Sequence, residues 1–93
     1  MILGLFKISG HSMLPIFKPN DRVLVSSLPY FFSNPRTNDI IVFKYEGKIM
    51  IKRIKKKENS KIFVAGDNSA DSLKIEPIEK KEILGKVIYV ITM

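Results

Sequence analysis

Apolar residues in this chain recur at every second position in short runs, and that spacing constrains the fold more than any other feature of it. Successive strand side chains point to opposite sides of a sheet, so a run that needs burial at alternate positions belongs to a β-strand with one face inward. Six such runs are read, over residues 5–9, 22–26, 39–45, 48–55, 61–65 and 84–92. Between the third and fourth, Tyr45-Glu46-Gly47-Lys48 supplies the glycine of a tight hairpin. No amphipathic pattern longer than two helical turns interrupts them. The expectation is an all-β fold of short, mostly antiparallel strands around a small barrel-like core. At 93 residues, 45% of them hydrophobic, with neither a repeat nor a linker, residues 1–93 read as one domain.

Composition removes several chemistries. There is no cysteine, which excludes disulfides, thiolate catalysis and Cys-type zinc sites. Sixteen Lys plus Arg against nine Asp plus Glu give a net charge of +7, which favours contact with nucleic acid or acidic lipid, although a lysine-rich solubilising surface accounts for it equally well. The apolar opening, Met1 to Phe6, meets Lys7 at once and falls far short of the ~20 residues of a spanning helix, so neither a transmembrane segment nor a signal peptide is expected. The stretch Ser27-Leu28-Pro29-Tyr30-Phe31-Phe32-Ser33-Asn34-Pro35 reads as a loop with a large apolar centre. Such a patch either covers the core or dips into a membrane interface or a partner.

Three polar stretches can carry chemistry. In Ser9-Gly10-His11-Ser12-Met13-Leu14-Pro15, a serine is held at a sharp bend after a strand-like run. His11 is the one histidine, but neighbouring side chains on an extended chain diverge, so it is a poor base for Ser12. The base must come from elsewhere. With residues 48–55 read as a strand, Met50, Lys52 and Ile54 share a face, and an ammonium between two apolar neighbours is disfavoured in its charged form. Lys52 is therefore a candidate general base for a serine hydroxyl. A lysine on an apolar face also snorkels to water, and that reading stays open on these residues alone. The third stretch is Gly66-Asp67-Asn68-Ser69-Ala70-Asp71-Ser72. It is either a self-satisfied turn, or a site where Ser69 orients the lysine amine and Asp71 balances Arg53.

Taken in order, these stretches resemble the type I signal peptidase family, the Ser-Lys endopeptidases that remove secretory signal peptides, with their smaller soluble relatives. Gly10-His11-Ser12-Met13-Leu14-Pro15 looks like the nucleophile box, and Lys18 to Val25 like the strand after it. Pro35 to Phe43 is similar to the family's next strand, Ile51-Lys52-Arg53-Ile54 to its lysine box, and Gly66 to Ser72 to its last box. The resemblance implies a signal-peptidase and LexA-like β fold, with Ser12 as nucleophile and Lys52 as general base. It also implies Ser69 as the hydroxyl that positions the lysine and Asp71 as the acid of a structural ion pair. Three departures stand out. Leu73 replaces the arginine that often follows the last Asp-Ser, which makes Arg53 the cation for Asp71; the last box is shortened between Asn68 and Ser69; and Gly10 stands where some members carry an oxyanion-stabilising hydroxyl. The backbone N–H of Ser12 would then serve the oxyanion, and loss of one such donor costs ~3 kcal/mol.

The expectation is an endopeptidase that binds an extended peptide or precursor by strand addition and cleaves after small residues, with no metal or cofactor. Peripheral contact with an anionic membrane through residues 1–6 and 28–32 is expected, with a cytoplasmic protease for one specific precursor as the alternative. A basic β-barrel for nucleic acid, with Lys52 to Lys57 along phosphates and Tyr30, Phe31 and Phe32 as stacking surfaces, fits the composition but leaves Ser12, Asp67 and Asp71 unexplained.

Overall fold

In the computed structural model, which describes residues 2–70 and 74–91, each of the six apolar runs forms a strand. These are β1 (Gly4–Lys7), β2 (Arg22–Ser26), β3 (Ile40–Tyr45), β4 (Lys48–Glu58), β5 (Lys61–Ala65) and β6 (Ile83–Ile91). They make one sheet in the order β1-β2-β6-β3-β4-β5, with every neighbouring pair antiparallel. The fold is all-β, as the spacing predicts. Residues 46 and 47 turn β3 into β4 with positive φ at both, 49° at Glu46 and 80° at Gly47, which suits the right-handed twist of a tight hairpin.

Alternation along the strands builds two apolar clusters. Ile41, Phe43 and Ile54 pack with Ile62, Val64, Ile75 and Ile78, while Val42 packs with Ile8, Met13, Phe17, Val23 and Val25. Since Ile41 and Phe43 serve the first cluster and Val42 the second, β3 is buried on both faces, as a central strand should be. The far edge of β5 is met by Ile78, whose backbone exchanges hydrogen bonds with Ile62. β1 ends the sheet on the other side.

Two local features differ from the sequence reading. The aromatic stretch contains a single helical turn, α1 (Pro29–Phe32), begun by a proline at its first position, where a missing N–H costs nothing. The patch it carries is divided: Tyr30 packs against the first cluster and donates to Asp39 Oδ2 at 2.7 Å, whereas Phe31 and Phe32 are 72% and 87% exposed. Burial and the adjacent Asp39 carboxylate push the Tyr30 phenol far above its ordinary pKa. The second difference is β4, which runs on to Glu58 because Lys56, Lys57 and Glu58 still pair with β5.

Candidate functional site

Ser12 sits in the connection between β1 and β2, and backbone bonds fix both ends of that loop. Ile8 N–H donates to Asp21 O at 2.7 Å and Asn20 N–H returns to Ile8 O at 2.9 Å. Inside the loop, Gly10 adopts φ +81°, a left-handed turn that a β-carbon disfavours. Met13 and Phe17, 1% and 2% exposed, plug the loop into the second cluster and leave Ser12 at the surface of the core. His11 is exposed, and its carbonyl accepts from Leu14 N–H, so the histidine belongs to the turn.

Lys52 approaches from β4. It pairs with the fully buried Ile41 and lies between Met50 and the fully buried Ile54 on its own side of the strand. The residue is 7% exposed, and its Nζ lies 2.7 Å from Ser12 Oγ. Two side chains 40 positions apart thus meet at hydrogen-bond distance. In the arrangement present, the amine donates to the hydroxyl oxygen; with a neutral amine the same contact allows the hydroxyl to donate to nitrogen. Among the described residues, no acceptor takes the Ser12 amide N–H.

The turn after β5 closes the site. Asn68 N–H donates to Ser12 O at 2.8 Å, and Asn68 Nδ2 donates to His11 O at 2.9 Å. A β-carbon at Gly66 would lie 2.4 Å from Ser12 O, so only glycine permits this approach of the two loops. The turn is tied to β4 by Arg53, whose Nε and Nη2 each donate to an Asp67 carboxylate oxygen at 2.8 Å while Nη1 donates to Asn38 O at 3.0 Å. The Arg53 hydrogen bonds hold the Asp67 carboxyl below the usual carboxylate range, against the opposing effect of burial. Asp67 in turn raises the Arg53 pKa further.

Ser12 and Lys52 are therefore brought together, and Gly10 shapes the loop that presents Ser12. Ser69 lies exposed on the turn and makes no hydrogen bond among the described residues. The residue of this stretch that reaches the serine loop is Asn68. Asp71, the expected partner of Arg53, lies outside the described residues, and the guanidinium is bound by Asp67. In sequence Gly66, Asp67 and Asn68 show as a polar turn and, by resemblance, as part of the family's last box; Asn68 does cap that turn, its Oδ1 accepting from Ala70 N–H at 3.1 Å, but nothing local tells that its Nδ2 also bridges to a loop 57 residues earlier. Beside the Ser12 and Lys52 side chains lies a cleft of about 160 Å³, walled by Phe6 of β1, by Ile8 just after it, and by β3 and β4 through Val42 and Ile51.

The chain belongs to the Peptidase S24-like family, whose model matches residues 3–88. That bears out the signal-peptidase and LexA-like resemblance of its motif order. Over 36 residues it is 50% identical to a signal peptidase I of Leptolyngbya laminosa, which covers 39% of this chain and 18% of that protein. It is also 30% identical over 89 residues to a probable chloroplastic thylakoidal processing peptidase 2 of Arabidopsis thaliana, covering 77% of this chain and 24% of that protein. The chain thus spans less than a quarter of the length of either relative.

Proposed function

We propose that this chain is a serine endopeptidase of the signal-peptidase kind, working through a Ser12–Lys52 dyad. The observation that carries the reading is a buried amine, 7% exposed, at 2.7 Å from a hydroxyl on a constrained bend. Neutral Lys52 accepts the Ser12 proton as Oγ attacks the scissile carbonyl carbon. The tetrahedral intermediate collapses to an acyl-enzyme as the protonated lysine gives its proton to the leaving amine. Lys52 then takes a proton from water, which hydrolyses the ester and restores Ser12. The Ser12 amide N–H faces the developing oxyanion, and Gly10 leaves room for the substrate backbone.

The substrate is an extended peptide. β1 is the terminal strand of the sheet, and the cleft between β1 and β4 opens beside the dyad, an arrangement suited to strand addition. Cleavage after small side chains, of the Ala-x-Ala type, follows from the family resemblance. Ser69 remains a proposed helper of the lysine and Asp71 a proposed structural acid. The protein works at a membrane surface, which Ile2 and Leu3, 65% and 57% exposed, and the aromatic turn would touch.

The deciding experiment is incubation with a panel of Ala-x-Ala peptides, read by mass spectrometry. Wild type should cut after the second alanine. Ser12→Ala and Lys52→Ala should each lose turnover while retaining their circular dichroism. Persistent cleavage by either folded variant would exclude the dyad.

A further inference from the structure

We propose that the cavity between the α1–β3 connection, the β4–β5 turn and the 3-10 turn at Lys80–Glu82 is a binding site for the phosphate of an anionic lipid headgroup. It lies apart from the Ser12–Lys52 cleft and is the larger of the two, about 450 Å³ against about 160 Å³. Lys57, Lys80 and Lys81 line it together with Asn34, Asn59 and Ser60. That lining supplies ammonium charge and neutral donors, the combination that phosphate oxygens accept.

The placement of the ammonium groups carries the inference. Lys57 Nζ donates to the carbonyl of Pro35, and Lys80 Nζ donates to Asn34 Oδ1 at 3.3 Å. Consecutive residues thus draw two cations to one spot, each through a neutral oxygen. Among the described residues, no carboxylate lies within ion-pair distance of either. Glu79, the one acid in the lining, is engaged by Lys61 at 3.3 Å and Lys81 at 3.7 Å. The charge of Lys57 and Lys80 is left to a ligand.

A lipid fits this site better than a soluble phosphate because of what adjoins it. Lys80 also lines a second hollow with Tyr30 and Phe31, so the cationic cavity and the aromatic turn share a wall. Tyr30 is pinned to Asp39, which holds Phe31 and Phe32 outward on a fixed turn. Exposed rings beside uncompensated ammonium groups match the boundary between acyl chains and phosphates.

The test is flotation of the 93-residue chain with phosphatidylcholine vesicles, with and without phosphatidylglycerol, for wild type, Lys57→Gln/Lys80→Gln and the charge-matched control Lys44→Gln/Lys48→Gln. Binding to phosphatidylglycerol vesicles should fall roughly thirtyfold in the first double variant, at about 1 kcal/mol per lost cation near an anionic surface. It should fall much less in the control. Cleavage of a soluble peptide without vesicles should be the same in all three, so failure here is separable from failure of the peptidase reading. Equal losses in both double variants would overturn the proposal, reducing it to net charge. So would stronger binding of a single-stranded oligonucleotide than of vesicles at the same salt. Saturable binding of inorganic phosphate without preference for phosphatidylglycerol would overturn the lipid assignment.

Discussion

Arg53 and Asp67 meet through two hydrogen bonds of 2.8 Å with 22% and 11% of their side chains exposed, and this pair governs how the turn at residues 66–70 meets the Ser12 loop. A carboxyl held below its ordinary range stabilises the fold above the unfolded-state value of about 3.9 and loses that contribution as pH falls through its lower, folded value. Asp67→Asn should therefore cost about 1–3 kcal/mol at pH 7, the size of hydrogen bonds to a charged partner. In urea unfolding the gap from wild type should begin to narrow below about pH 4 and go on narrowing as pH falls toward the lower, folded value; a gap unchanged at pH 3 would deny the ion pair its role. Gly66→Ala acts sterically: its β-carbon, 2.4 Å from Ser12 O, must push the serine loop away. A displacement near 1 Å costs about a hundredfold in rate, so kcat on a peptide should fall by that order while the far-ultraviolet spectrum is kept. At this scale the sequence disclosed the two side chains whose chemistry is local in kind, a serine at a bend and a lysine on an apolar face. The partner of Arg53 and the bridging role of Asn68 depend on which loops fold together, and no local pattern encodes that.

Strands were legible because their signal is a period, and β2 and β5 begin and end where alternation begins and ends. β4 outran its apolar run because a ladder needs only backbone N–H and C=O groups, and past the irregularity at Lys55 the exposed Lys56 and Lys57 leave these intact. α1 was hidden by its length, since four residues offer no 3.6-residue period to read. The β3–β4 hairpin yields the prediction at this scale. Glu46 holds φ 49° there, a left-handed conformation that costs most side chains ~1 kcal/mol but suits asparagine. Glu46→Asn should stabilise the chain by about 0.5 kcal/mol in thermal unfolding and leave peptide cleavage unchanged. A lower melting temperature would mean that the glutamate side chain, and not the turn, decides stability at this position.

Strand order, invisible in the sequence, sets the character of the whole molecule. Because β1 pairs with β2 from Gly4 opposite Val25 to Lys7 opposite Arg22, the exposed Ile2 and Leu3 lie at the end where β2 leads into α1. Leu28, Phe31 and Phe32, 42%, 72% and 87% exposed, follow directly, so two apolar stretches 25 residues apart in sequence share one end of a hairpin. Among the described residues no helix is long and apolar enough to cross a membrane, so attachment by these residues would be interfacial. Attachment of this kind has a signature distinct from charge: screening shortens electrostatic reach to about 8 Å at physiological salt but leaves apolar burial intact. The chain should therefore keep measurable affinity for zwitterionic phosphatidylcholine vesicles in moderate salt. Phe31→Ser/Phe32→Ser should weaken it at least tenfold, since even one buried ring contributes about 1.5–3 kcal/mol. Cleavage of a soluble peptide should be unaffected, because neither ring lines the cleft beside Ser12. If the double variant binds such vesicles as wild type does, the hairpin end is not the attachment surface, and the rings must serve a protein partner instead.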